Sequence, residues 1–340
     1  MASVTVIVPA YNEEACVGET LQSLQQQTAP PDEIIVVDDY SSDGTGEVAR
    51  AYAGVRVVRP PANTGSKAGA QNFGLQFINT ELTMIIDADT SLAPNAIENM
   101  LPMFEDPQVA AACGFVLPRR VRTIWERGRY IEYLFSFSFY KQVQDYFGKP
   151  LISSGCLSMY RTELLKRAGG WSQRTLAEDM DLTWTLYSYG CKVRFVPSAV
   201  CYPIEPHTLR LMHKQLKRWS AAFLQNVILH RKDVMRLPFL FSAMAVSLSD
   251  AIMSSVIYVA MLPVLAIFIT PWFLLGYVID APVLMIPTLM VAIHRREVVR
   301  ALTSFPALFV LRVVNGFIFL KAVWFEIILR RHFTVYEKGH

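Results

Sequence analysis

The sequence predicts an α/β fold: a mostly parallel sheet covered by helices, then an interfacial helix and C-terminal transmembrane helices. Two observations carry this. Strand-like and helix-like segments alternate along the first hundred residues, the signature of a parallel sheet. Charge then drains from the chain, so that residues 238–293 hold only Asp250 and Asp280. The composition agrees: 52% of residues are hydrophobic and 18% charged, against about a quarter charged in an ordinary globular domain. A length of 340 residues allows a core-forming domain of about 200 residues plus a membrane region.

Taken in order, Val4 to Pro9 is a short apolar run rich in β-branched residues, and Glu13 to Gln27 has helical spacing. Glu33 to Val37 reads as a second strand and Thr45 to Tyr52 as a second helix. The pattern repeats as strand Arg56 to Arg59, helix Lys67 to Asn79, strand Leu82 to Ile86 and helix Pro94 to Phe104. In such a sheet ligands sit at the carboxyl ends of the strands. There the chain places Tyr11 and Glu13, then Asp38 and Asp39, then Asp87 and Asp89. Asp38 and Asp39 follow four apolar residues, where a carboxylate can reach a base or ribose; Asp43 and Thr45 cap the next helix. Asp87 and Asp89, two apart at a strand end, offer hard oxygen ligands to one divalent cation. Lys67 begins a helix after the small-residue turn Asn63-Thr64-Gly65-Ser66, which brings backbone N–H groups and an ammonium to an anion. That turn lacks the spacing of a P-loop or a dinucleotide fingerprint, so neither NTPase nor NAD chemistry is indicated.

Further on, Ser153 to Arg161 reads as a loop entering a strand, and Glu178, Asp179 and Asp181 open a helix running to about Tyr189. Carboxylates gain from a helix N-terminus, so capping and catalysis both stay open at this point. An aromatic helix is expected from Thr123 to Phe147, its rings serving either packing or sugar stacking. From His207 to Leu237, seven Lys and Arg side chains face the lone acid Asp233, with Leu, Phe and Trp interleaved. A basic amphipathic helix before apolar spans belongs at a cytoplasmic headgroup surface. Gln215, Arg218 and Trp219 share one face of it at i, i+3 and i+4. The apolar remainder divides into spans at 238–270, 272–293 and 301–329. Arg295 and Arg296 mark a cytoplasmic return, and Arg312 and Lys321 interrupt the third span. Five cysteines without a C-x-x-C pair, and a strand starting almost at Met1, are expected to mean free thiols, no signal peptide and a cytoplasmic location for the polar part.

Asp38-Asp39, Asp87-x-Asp89, Glu178-Asp179 and Gln215-x-x-Arg218-Trp219, in this order and ahead of membrane helices, resemble the processive glycosyltransferases of family 2. That family includes cellulose, chitin and hyaluronan synthases and the nodulation chitooligosaccharide synthase. The similarity covers about residues 3 to 237. The chain departs from the family pattern at Ala177, where Thr is usual, and at Tyr40, where Gly is common. The resemblance implies a GT-A type, Rossmann-like domain. Tyr11, Glu13, Asp39 and Lys67, with Asp38 and Asp87 beside them, would hold the nucleotide of a UDP-sugar. Asp89 and Asp87 would bind Mg2+ or Mn2+ on its diphosphate. Asp179, next to Glu178, would be the general base, giving inversion. Arg218 would neutralise the departing diphosphate, Trp219 would stack under the acceptor sugar and Gln215 would hydrogen-bond near it. UDP leaves as an anion, so one carboxylate suffices where a glycosidase needs two.

The expected organisation is a catalytic domain over 1–206, the basic helix over 207–237 and the membrane region over 238–340. The expected function is a processive polysaccharide synthase with its catalytic domain on the cytoplasmic face. Its partners are a UDP-sugar, a glycan acceptor and membrane lipids, with oligomers left open. The alternatives are single sugar transfer to a lipid or polyprenyl phosphate, and a non-catalytic nucleotide-binding scaffold. A net charge of +3, drawn largely from the membrane-facing helix, speaks against nucleic acid.

Overall fold

The computed structural model describes residues 2–331; the last residues assigned to the membrane region, 332–340, lie outside the described residues. The chain divides into two compact units, Met1–Arg119 with Gln142–Ile204, and Arg120–Lys141 with the chain from Glu205 onward.

The first unit is built on an 8-stranded sheet. Its strands are β1 (Val4–Ala10), β2 (Glu33–Asp38), β3 (Val55–Val58), β4 (Leu82–Ile86), β5 (Thr90–Leu92), β6 (Val109–Val116), β7 (Leu157–Arg161) and β8 (Lys192–Pro203). They lie in the order β3-β2-β1-β4-β7-β6-β8-β5. The β-branched runs Val-Thr-Val-Ile-Val of β1 and Ile-Ile-Val-Val of β2 are buried on both faces, as central parallel strands must be, while β3 at the edge is only partly buried. The strands β3, β2, β1 and β4 run parallel, as the alternation predicts. Beyond them the sheet is mixed, because β7 pairs antiparallel with both β4 and β6, and β5 antiparallel with β8. The helices of the alternating pattern are Val17–Gln25, Thr45–Arg50, Lys67–Leu75 and Ala96–Met100. Since β1 lies between β2 and β4, the carboxyl ends of these three strands open on one edge, at the point where the chain order reverses.

The second unit is helical. Helix Ile124–Phe135 starts with a capping box, Thr123 accepting from the Glu126 N–H and Glu126 from the Thr123 N–H. It packs closely on helix Val298–Val323. A Cβ at Gly128 would stand 3.0 Å from the Leu311 Cβ and 3.1 Å from the Ala307 carbonyl, so a side chain there would push the two helices apart. The aromatic residues of the predicted 123–147 helix divide. Tyr130 and Tyr133 are buried, whereas Phe139 and Tyr140, within a π-helical turn over Ser136–Tyr140, are exposed. The basic stretch forms helices Leu209–Leu229 and Arg231–Arg236, and the first buries Met212 and Leu216 against Leu311 and Ile318.

Among the described residues, three helical runs are long and apolar enough to cross a membrane: Pro238–Phe268, Pro271–His294 and Val298–Ile328. The first is interrupted by a π-helical turn over Ile257–Met261. At 31 residues it measures about 46 Å, well beyond a hydrocarbon core of about 30 Å. Arg312, which interrupts the third run, is neutralised within the fold. Its two terminal nitrogens donate to Asp280 at 2.9 and 2.7 Å, and its guanidinium lies 4.5 Å from the Tyr258 ring centre.

Candidate active site

Within the first unit, four chain segments bring their polar residues together around Lys67. Its helix, Lys67–Leu75, is capped by Ser66, whose hydroxyl accepts from the Gly69 N–H at 3.1 Å. The Lys67 ammonium forms an ion pair with Asp87 from the turn after β4, lies 3.8 Å from Glu178, and donates to the Gly155 carbonyl at 3.1 Å. Asp179, in the first turn of helix Glu178–Ser188, accepts the Gly155 N–H at 2.8 Å and, on its other oxygen, the Met180 N–H at 2.8 Å. Each carboxylate oxygen carries two lone pairs, so both retain capacity for a proton. Gly155 lets this approach happen. A Cβ there would stand 2.9 Å from a carboxylate oxygen of Asp179 and 3.1 Å from the Lys67 nitrogen. The neighbouring acid Asp181 is buried in a two-pronged pair with Arg174 at 2.8 and 2.7 Å.

The loop after β2 is equally ordered. Asp38 is fully buried, accepting from the Ser41 N–H at 2.9 Å and from Arg59 at 2.8 Å. Asp39 accepts from the Thr64 N–H at 2.8 Å and the Thr64 hydroxyl at 2.9 Å. Burial pushes the Asp39 carboxyl above its ordinary value; the two Thr64 hydrogen bonds pull the other way and Asp38 adds to the rise. Tyr40 takes the left-handed conformation that favours glycine, at φ 66°, with Arg59 4.9 Å from its ring centre. Glu13 is buried and its N–H donates to Thr45 at 2.7 Å, while Tyr11 is exposed. Asp43 accepts from the Thr45 N–H at 3.1 Å, in keeping with its capping role. Asp89 is buried, and its carbonyl accepts from Arg119 at 2.7 Å.

Among the described residues, no group of three or more His, Cys, Asp or Glu side chains is placed to hold a metal ion by itself. The donor set of Asp87 and Asp89, two hard carboxylates on one turn, suits instead a small divalent ion that completes its shell with phosphate oxygens and water. None of the five cysteines, all among the described residues, is joined in a disulfide.

In the second unit, the Gln-x-x-Arg-Trp segment lies on helix Leu209–Leu229, with Gln215 buried, Arg218 partly buried and Trp219 40% exposed. Its anchor is a residue that sequence reasoning missed, Arg129 of helix Ile124–Phe135. This guanidinium, 1% exposed, donates to Gln215 at 2.7 Å and to Glu132 at 2.5 Å, and its centre lies 4.4 Å from the Trp219 ring centre. Glu205 is 3.7 Å away and accepts from the Tyr133 hydroxyl at 2.9 Å. Burial opposes the Arg129 charge, but Glu132, Tyr133 and Glu205 outweigh it and hold the guanidinium protonated more firmly than usual. Burial, reinforced by Glu205, raises the Tyr133 hydroxyl well above its ordinary value. The available signal was two arginines, Arg127 and Arg129, in a helix otherwise notable for its aromatic rings.

This sheet, with acidic loops at one edge and apolar helices following, has the GT-A-like architecture of a glycosyltransferase. Residues 5–169, just under half of the chain, match Glycosyl transferase family 2. Curated relatives include a poly-β-1,6-N-acetyl-D-glucosamine synthase of Staphylococcus epidermidis, 29% identical over 221 residues, 64% of this chain and 53% of that protein. A probable glycosyltransferase of Bacillus subtilis is 30% identical over 231 residues, 65% of this chain and 55% of that protein. The chain thus spans about half the length of the curated relatives it matches. Among solved structures, a mannosyltransferase from Pyrobaculum calidifontis in complex with GDP-Man and Mn2+ superposes with a TM-score of 0.57. The match covers 94% of this chain and 87% of that one; at 22% identity it concerns the fold alone.

Proposed function

We propose that this glycosyltransferase is membrane-bound and inverting, and that it transfers sugar from a UDP-sugar to the end of a growing polysaccharide. The observation that carries the reading is Asp179, aimed by the Gly155 N–H and set beside the Lys67–Asp87 pair inside a family 2 domain.

In this reading Asp39 accepts from the nucleotide base, with Asp38 and Arg59 bracing its loop and Tyr11 and Glu13 completing the nucleotide site. Lys67 and Arg218 offset charge on the diphosphate. Asp89 and Asp87 would hold Mg2+ or Mn2+, which when bound supplies further charge neutralisation on the diphosphate. Asp179 takes the acceptor hydroxyl's proton as that oxygen attacks the anomeric carbon. The new C–O bond forms on the face opposite UDP, the bond to UDP breaks, and the configuration inverts. Glu178 lies within reach of the Lys67 ammonium and sets its position. Trp219, partly open, stacks on the acceptor sugar, with Gln215 held close by.

Polymer extension is supported by relatives named as poly-β-1,6-N-acetyl-D-glucosamine synthases, which also put UDP-N-acetylglucosamine first among donors to try. The three apolar helices support membrane attachment, and the basic residues before the first of them and at Arg295 and Arg296 support a cytoplasmic catalytic face.

The test incubates the purified full chain with a panel of UDP-sugars and Mg2+ or Mn2+, scoring UDP release and product size together. A high-mass polymer is expected. Single additions to a lipid acceptor would establish the other kind of transfer, and absence of UDP release with every donor would overturn catalysis.

A further inference from the structure

Helix Leu209–Leu229 carries a second face that sugar transfer does not use. Arg210, His213, Lys214 and Lys217 fall at i, i+3, i+4 and i+7, one stripe along the helix. At about 100° per residue, this stripe is centred roughly 140° round the helix from the Gln215, Arg218 and Trp219 face. The four basic residues form one side of a cavity of about 1060 Å³ within the second unit. Its other walls are apolar, with Val259 and Pro263 from the first apolar run and Val313 and Phe317 from the third. Among the described residues no acidic side chain lines it. Tyr258 and Tyr277, stacked at 5.7 Å, also border the cavity. The ion pair against Tyr258, Arg312 with Asp280, neutralises itself, so the cavity's net charge comes from the helix stripe.

We propose that this cavity binds one anionic phospholipid, its phosphate on the Arg210 and Lys214 stripe and its acyl chain along the apolar wall. The cations match the phosphate and the wall matches the chain. The volume suits a headgroup and the upper part of a chain. Because the stripe faces away from Trp219, the lipid is a bound partner and not the sugar acceptor. The site stands whether or not the chain makes a polymer.

Native mass spectrometry of the full chain, titrated with phosphatidylglycerol against phosphatidylcholine, reads lipid retention without reference to activity. Wild type is expected to retain phosphatidylglycerol preferentially. Arg210→Gln with Lys214→Gln should weaken that retention about 30-fold, from the loss of two near-surface cations. Arg231→Gln with Lys232→Gln removes the same charge outside the cavity and should leave retention unchanged. Val313→Trp, which fills the cavity and keeps every charge, should lose the lipid while the chain stays monodisperse. Equal loss in both charge variants would show general surface attraction and overturn the site, as would retention by the tryptophan variant or no lipid preference at all. A polyprenyl phosphate that displaces phosphatidylglycerol and becomes glycosylated would overturn it too, by making the cavity an acceptor site.

Discussion

Lys67 in the first unit and Arg129 in the second each stand among carboxylates, but in opposite settings. Lys67, at the start of a helix, is 14% exposed and its partner Asp87, on the turn after β4, 31%. Arg129 is 1% exposed and Glu205 3%, between helices. The open cluster has charge accessible to a ligand, as a site for a diphosphate needs. The closed cluster has its charges committed to one another, and what it offers is position: the guanidinium grips Gln215 and lies against Trp219. Clusters of similar charge composition therefore leave charge open to a ligand in one place and fix alignment in the other, with burial deciding which.

The sharpest way to separate them is Asp179→Asn in the open cluster. Turnover should fall by about 10²–10⁴-fold with UDP affinity retained, since only the proton acceptor is lost; near-normal turnover would sink the base assignment. Next is the pair Arg129→Met and Lys67→Met. The first leaves Glu205 buried and the partly exposed Glu132 beside it without their cation and should cost about 3–5 kcal/mol in denaturant unfolding. The second should cost less, because its ion pair with Asp87 is partly open to solvent, yet weaken donor binding. Equal stability losses would erase the distinction. Gly155→Ala should lower kcat by roughly tenfold by moving Asp179 a few tenths of an ångström, with KM for the donor little changed.

The smallest effect concerns acid. Asp39 titrates above the ordinary carboxylate value through burial, so the folded chain holds that proton longer than the unfolded one. Its contribution to stability therefore falls as pH rises from the unfolded carboxylate value through the folded one. UDP binding, which uses the ionised form, should weaken below that folded value. Thr64→Val removes one bond that opposes the rise and should move the acid limb of UDP affinity to higher pH by calorimetry; an unmoved limb would show that Asp39 does not contact the nucleotide.

The first four strands were legible because each is a short β-branched run closed by turn residues, and their helices show clear spacing. The antiparallel course of β7 was not, since alternation says where strands lie and not which way they run. β6, Val109–Val116, with its Ala-Ala-Ala-Cys-Gly, has few of the bulky residues that announce a strand, yet it is buried throughout. Of the candidate site, the acidic positions were legible from their place at strand ends. The contact of Gly155 with Asp179 was not, because it joins residues 24 apart through a backbone N–H. Arg129 escaped notice because its meaning comes from Gln215, 86 residues away in sequence.

The pair between Arg312 and Asp280 bears on how the chain is assembled. Arg312 lies near the middle of Val298–Ile328, and Asp280 in the turn between Pro271–Tyr277 and helix Ala281–His294, within the second apolar run. A lone arginine or aspartate at the centre of an inserting helix costs about 2.5–3.5 kcal/mol on the translocon scale. Entering together, each charge brings its counter-ion. On the proposed membrane attachment, the last two apolar runs are thus suited to insertion as a hairpin during biosynthesis, and a ribosome-bound chain cut before Arg312 would leave the second of the three apolar runs the harder one to insert.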